Sequence, residues 1–134
     1  MPRMEQMEQA IRSSAITTLV DGEVFDDAQT VYSSAAVGCH GFRRFLLFLN
    51  VDSTSTPTDI QFIVQFSDDG GTTWYSFLQG LFASLFYEDV ATASGITECF
   101  SGEVAGRDVR LRVVATGTTA VNKFMVTAAI EFYA

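Results

Sequence analysis

The chain has one histidine, one lysine, two cysteines and two prolines in 134 residues. Each scarcity excludes something. A Ser-His-Asp or Cys-His arrangement needs a histidine held by an orienting partner. His40 is the sole imidazole, inside Gly38-Cys39-His40-Gly41, and no serine sits in a nucleophile-elbow pattern. A zinc site would have to combine Cys39, His40 and Cys99 with no paired CxxC. Neighbours in an extended segment point to opposite sides, and structural zinc wants four ligands. Two cysteines are too few for a secreted disulfide scaffold. They read as two buried thiols, with a single bridge left open.

Long apolar runs are also missing. The longest stretch, residues 77–87, is interrupted by Gln79, Gly80 and Ser84, short of the roughly 18 apolar residues of a membrane helix. Residues 1–12 lack the apolar centre of a secretory signal. The expectation is a protein made and kept in the cytosol, or released by lysis, with no membrane partner. Positive charge is scarce too: the net charge of −8 repels phosphate backbones and argues against nucleic acid.

Phenylalanine is abundant, at twelve residues, and the mean hydropathy is positive. Small domains have much surface for their volume, so surplus apolar residues gather at interfaces. Residues 77–87 and the two-faced apolar segment 43–51 therefore predict oligomerisation, since closed symmetry hides the same patch on every copy.

Residues 1–12 (MPRMEQMEQAIR) differ in texture from the rest. Met, Glu and Gln favour helix, but so short a segment is marginal alone. It reads as an N-terminal arm, ahead of a β domain over residues 13–134. Met1, Met4, Met7 and Ile11 fall at helical spacing and would form one apolar stripe against a neighbour.

From residue 13 onward the pattern is β. Residues 15–20 read as a strand ended by Asp21-Gly22, and 30–32 as a short strand. Residues 43–51 are central or face a partner, and 53–58 are a Ser/Thr/Pro loop. In residues 60–66, Ile60, Phe62, Val64 and Phe66 share one face, the period-two signature of a half-buried strand. Residues 74–78 return as its hairpin partner. Residues 85–93, 96–100 and 107–115 follow, separated by Gly95, Gly102 and Gly106. Residues 122–133 close the chain, with Phe124, Val126, Ala128, Ile130 and Phe132 on one face. About eight strands and no long amphipathic helix predict a single-domain, all-β antiparallel sandwich, jelly-roll-like. Its expected core holds Ile60, Phe62, Val64, Leu111, Val113, Phe124, Val126 and Ile130.

Two acidic pairs, Asp26-Asp27 and Asp68-Asp69, offer hard oxygen ligands of the kind calcium takes. EF-hand spacing is absent, and Asp before Gly is what turns prefer. The arginines cluster on two strands, Arg43 and Arg44 on one, Arg107, Arg110 and Arg112 on another, with Arg110 and Arg112 on the same face. They either pair with the surplus acids or form a cationic strip for an acidic protein partner.

The most specific string is Ser67-Asp68-Asp69-Gly70-Gly71-Thr72-Thr73-Trp74. It resembles the Asp-box hairpin of sialidases and related β-proteins, where the box is a structural turn. A sialidase needs a six-bladed propeller with an arginine cluster, and this chain is too short for one. Ser67 and Asp69 are suited to bond turn amides, Gly70 and Gly71 permit positive φ, and Thr73 and Trp74 complete the motif.

The order of features, GFRRFLLFLNV, then SDDGGTTWYSF, then GRDVRLRVVATGTT and a final apolar strand, resembles small β-sandwich structural proteins of tailed bacteriophages. That resemblance spans residues 41–133. It implies a virion location and a non-enzymatic capsid decoration or cement protein, commonly trimeric, bound to the major capsid protein, with no cofactor. Similar strings in tail or head–tail accessory proteins and in carbohydrate-binding modules keep those alternatives open.

Overall fold

A computed structural model describes residues 14–54, 59–76, 85–88 and 96–134. The arm residues Met1, Met4, Met7 and Ile11 lie outside the described residues, as does most of the apolar stretch 77–87.

Ten strands are described: β1 (Thr17–Phe25), β2 (Val31–Ser33), β3 (Val37–Gly38), β4 (Arg44–Thr54), β5 (Asp59–Ser67), β6 (Tyr75–Ser76), β7 (Leu85–Glu88), β8 (Ile96–Glu103), β9 (Asp108–Thr116) and β10 (Lys123–Tyr133). They form two sheets with antiparallel pairing throughout. The four-stranded sheet runs β1-β10-β4-β8. In the other, β9 and β5 are central. β2 and β3 lie end to end along the free side of β9, and β6 and β7 along the free side of β5. With each broken edge counted as one, the sandwich is four strands on four, the jelly roll that the strand count predicts.

Alternation explains the core. β9 and β10 bury every second residue, including Val109, Leu111 and Val113 on one and Phe124, Val126, Ala128, Ile130 and Phe132 on the other. β4 adds Phe45, Leu47, Leu49 and Val51, and β5 adds Ile60, Phe62, Val64 and Phe66. All eight expected core residues are buried. Each fully buried Phe, Leu or Ile contributes about 1.5–3 kcal/mol gross. The gap between β2 and β3 is closed by Ser34, whose backbone N–H donates to Leu111 O at 2.9 Å while its hydroxyl accepts from Leu111 N–H at 2.9 Å. Broken edges of this kind offer little template for further pairing.

Three boundaries differ from the sequence expectation, two of them at a glycine. β1 does not stop at Asp21-Gly22; its register against β10 shifts between Thr18 and Glu23, and Gly22 takes φ +63° inside the strand. The dipeptide makes a bulge rather than an end. Gly102 does not separate strands either, because it lies within β8 opposite Phe45. β4 continues three residues past Val51, since Asp52, Ser53 and Thr54 pair with Met125, Phe124 and Lys123.

Candidate functional site

The hairpin after β5 is organised by Ser67 and Asp69. The Ser67 hydroxyl donates to Asp69 Oδ1 at 2.8 Å and accepts from Gly71 N–H at 2.9 Å. Asp69 Oδ1 also accepts from Thr72 and Thr73 N–H at 3.1 and 2.8 Å. These amide donors hold the Asp69 carboxyl at about 2, below the ordinary 3.8. Gly70 and Gly71 have φ of +76° and +91°, open to glycine at little cost. One Asp69 oxygen is thus committed to the turn. Asp26 is used similarly, with Oδ1 accepting from Ala28 and Gln29 N–H. Among the described residues no cluster of three or more His, Cys, Asp or Glu is placed to hold a metal ion.

The turn delivers Trp74 to the outer face of the β9–β5 sheet. There the Arg110 guanidinium carbon stands 4.5 Å from the Trp74 ring centroid. Arg110 Nε donates to Gln65 Oε1 at 2.7 Å, and Gln65 Nε2 donates to Ser76 Oγ at 3.4 Å. Gln65 is 8% exposed, so this is a nearly buried polar group satisfied from both sides. Partial burial, then the neighbouring Arg112, lowers the Arg110 pKa. Cross-strand neighbours on β5 are Gln65 for Arg110 and Ile63 for Arg112, with Ser33 beyond. No carboxylate opposes either arginine in this register. Tyr75, the cross-strand partner of Phe66, is 65% exposed.

The two arginine pairs do not form one strip. Arg110 and Arg112 occupy the outer face of the β9–β5 sheet. Arg44 lies on the outside of the opposite sheet, between Glu103 and Tyr133. Arg43 precedes β4, exposed, with backbone bonds to Tyr133 and Val104. His40 is exposed in the turn after β3.

The cysteines correct one expectation. Cys39 is buried, its N–H donating to Arg107 O at 2.8 Å and its thiol to Gly106 O at 3.3 Å. Burial, then Asp108 and Asp68, pushes its pKa up to about 12. Cys99 is instead exposed, on the outer face of β8, and both thiols are free. Period two explains the difference, since Cys99 alternates with the core-facing positions of an edge strand.

Sequence reasoning marked the outer face of residues 43–51 but missed that Cys99 joins it. One residue from each strand forms a row across the four-stranded sheet: Thr18, Ala129, Phe48, Cys99. Its signal was present in the segment 43–51, apolar on both faces.

No protein-family model matches the chain, and no curated protein does. Among solved structures it is similar to the structure of infectious bursal disease virus, Gx strain, with TM-score 0.61 and 11% identity over 92% of this chain and 32% of that one. The VP2 subviral particle of the same virus matches with TM-score 0.56 and 10% identity over 92% and 32%. A CBM4 carbohydrate-binding module matches with TM-score 0.50 and 15% identity over 89% and 77%. The chain spans about a third of the virus chains it matches. These neighbours, viral capsid proteins and a carbohydrate-binding module, share the β-sandwich fold.

Proposed function

We propose that this chain is a non-enzymatic structural protein of a virion, a decoration or cement protein on the capsid of a tailed bacteriophage. The observation that carries the reading is the jelly roll, superposable over 92% of the chain on a viral capsid structure. The phage-type order of motifs over residues 41–133 agrees with it. Attachment to the major capsid protein uses the face of Arg110 and Arg112, where two cations stand side by side without an opposing carboxylate. An acidic patch on the shell suits that face, and close charge pairs fix register as well as affinity. Copies assemble with one another, as a homotrimer, and the protein is made in the host cytoplasm before joining the particle.

Purified capsids lacking the protein provide the test. The expected result is saturable binding at repeating lattice positions, visible by electron microscopy, weakened at least about tenfold by Arg112→Glu. Absence of binding, or localisation to the tail, overturns the decoration reading.

The CBM4 likeness favours a second reading, because the chain spans 77% of that structure. Tyr75 is exposed enough to stack on a sugar ring, whereas one face of Trp74 is taken by Arg110. Specific glycan binding abolished by Tyr75→Ala, with no capsid binding, would establish that reading instead.

A further inference from the structure

The outer face of the four-stranded sheet is unlike an ordinary solvated face. Across its middle, Thr18, Ala129, Phe48 and Cys99 form one uncharged row, and Thr127, Asn50 and Thr97 form the next. Leu46 lies beside Phe48, both half-buried. A shallow hollow of about 270 Å³ opens here, lined by Phe48, Cys99, Thr127 and Ala129. Along β4 charge is kept to the two ends. Its outward positions run Arg44, Leu46, Phe48, Asn50 and Asp52, so an exposed arginine and an exposed aspartate stand four residues either side of Phe48. Beside them on β10 are Tyr133, the partner of Arg44, and Met125, the partner of Asp52.

We propose that this face meets the same face of a second copy, across a two-fold axis lying along the row of Phe48. Charge is the first argument. Rotation about that axis reverses the strand direction, so Arg44 comes over Asp52 of the second copy, and the second copy's Arg44 over Asp52. On β10 the same count sets Tyr133 over the second copy's Met125, because Ala129 is the partner of Phe48. Glu103 stands beside Arg44 on its own sheet. Glu131, which accepts the Tyr133 hydroxyl, comes over Thr127 of the second copy. Carboxylates on these strands therefore meet no carboxylate, which matters in a chain of net charge −8 whose copies otherwise repel. Dimensions are the second argument. Packed sheets stand about 10 Å apart, a gap that outward Phe48 and Leu46 fill and that an arginine facing an aspartate bridges. Four strands about 4.8 Å apart and about 27 Å long give roughly 500 Å² per copy, so a pair hides about 1,000 Å², the least a specific interface needs. The inference rests on the reading that copies assemble with one another and adds a contact to it. A three-fold joins two unlike surfaces, whereas a face that meets itself needs a two-fold, so this contact pairs trimers.

Cys99 lies in the row of the axis, so the two thiols stand opposite one another, and Cys39 is silent because it is buried. A short bismaleimide added to the full chain at about 100 μM, a concentration that populates a weak contact, measures the pairing directly. The expected result is covalent dimer from more than about two thirds of the chains, the most that three thiols meeting at a three-fold could give. Cys99→Ser removes the dimer. Arg44→Asp sets carboxylate against carboxylate and is expected to slow dimer formation at least about tenfold, and Arg44→Asp/Asp52→Arg to restore it. Should Arg44→Asp fail to fold, Asp52→Arg, which sets arginine against arginine, carries the same expectation. Absence of cross-linking, a yield that stops at two thirds, or a folded double variant that pairs no better than the single one overturns the proposal. Capsid binding uses the opposite face and is read separately, so a chain that decorates capsids without Cys99 cross-linking fails this inference and not the reading it rests on.

Discussion

Phe45 on β4 lies over Gly102 on β8, and the ring occupies the place a side chain at 102 would take. A Cβ there would stand 2.6 Å from Phe45 Cζ. Gly102 is the cross-strand partner of Phe45, so the glycine exposes backbone that the buried ring then covers. Gly102→Ala is expected to destabilise by about 1–3 kcal/mol, the usual cost of overpacking. Phe45→Leu is expected to relieve the clash in the double mutant. A double-mutant cycle by urea denaturation should give a clear coupling between the two sites.

Asp69 ties the turn to pH. Its folded pKa of about 2 lies below the ordinary 3.8. A depressed carboxylate stabilises the fold fully above its unfolded value, and that contribution is lost as pH falls through the folded value. The melting temperature of Asp69→Ala should therefore lie below that of the unmodified protein at neutral pH. The gap should narrow between about 4 and about 2. A gap that stays constant across this window would show that the carboxylate charge is not the stabilising element.

Cys39 produces the opposite limb. Burial raises its thiol pKa from 9.0 to about 12. The unfolded chain ionises first, so the stability this thiol contributes is whole below about 9 and declines as pH rises toward about 12. Melting curves between these limits should fall more steeply for the unmodified protein than for Cys39→Ala. Gly106 O loses its thiol donor in that variant, so it starts lower at neutral pH.

Arg110 holds the hairpin end of the β9–β5 sheet by stacking on Trp74 and bonding Gln65. Arg110→Ala removes the stack and leaves Gln65 Oε1 without this donor, at a cost of about 1–2 kcal/mol. Trp74 is the only tryptophan, so its emission reports the change. A red shift with preserved β-type circular dichroism is expected.

Much of the fold was legible because period-two patterning is local. In β5, β9 and β10 the alternation alone assigns the inner face, since burying one face requires the register that the apolar residues already mark. The Ser67-Asp69 turn was legible for the same reason, its partners all lying within five residues of Ser67 and Asp69. Bulges were less so. Asp21-Gly22 reads equally well as a strand end or as an extra residue within a strand, and only pairing with β10 decides which.

What the sequence determined by itself was thus the class of fold, most of the strands and, in β5, β9 and β10, which side faces inward. Tertiary structure alone decided which strands became neighbours, because jelly-roll connections cross between sheets and join segments far apart in the chain. That choice set Gly102 against Phe45 and brought Arg110 to Gln65 and Trp74. It also put Arg44 and Arg110 on opposite outer faces and left Cys99 exposed beside Phe48. Local sequence encodes the direction a side chain points; what it meets depends on long-range pairing, and function on this surface depends on what it meets.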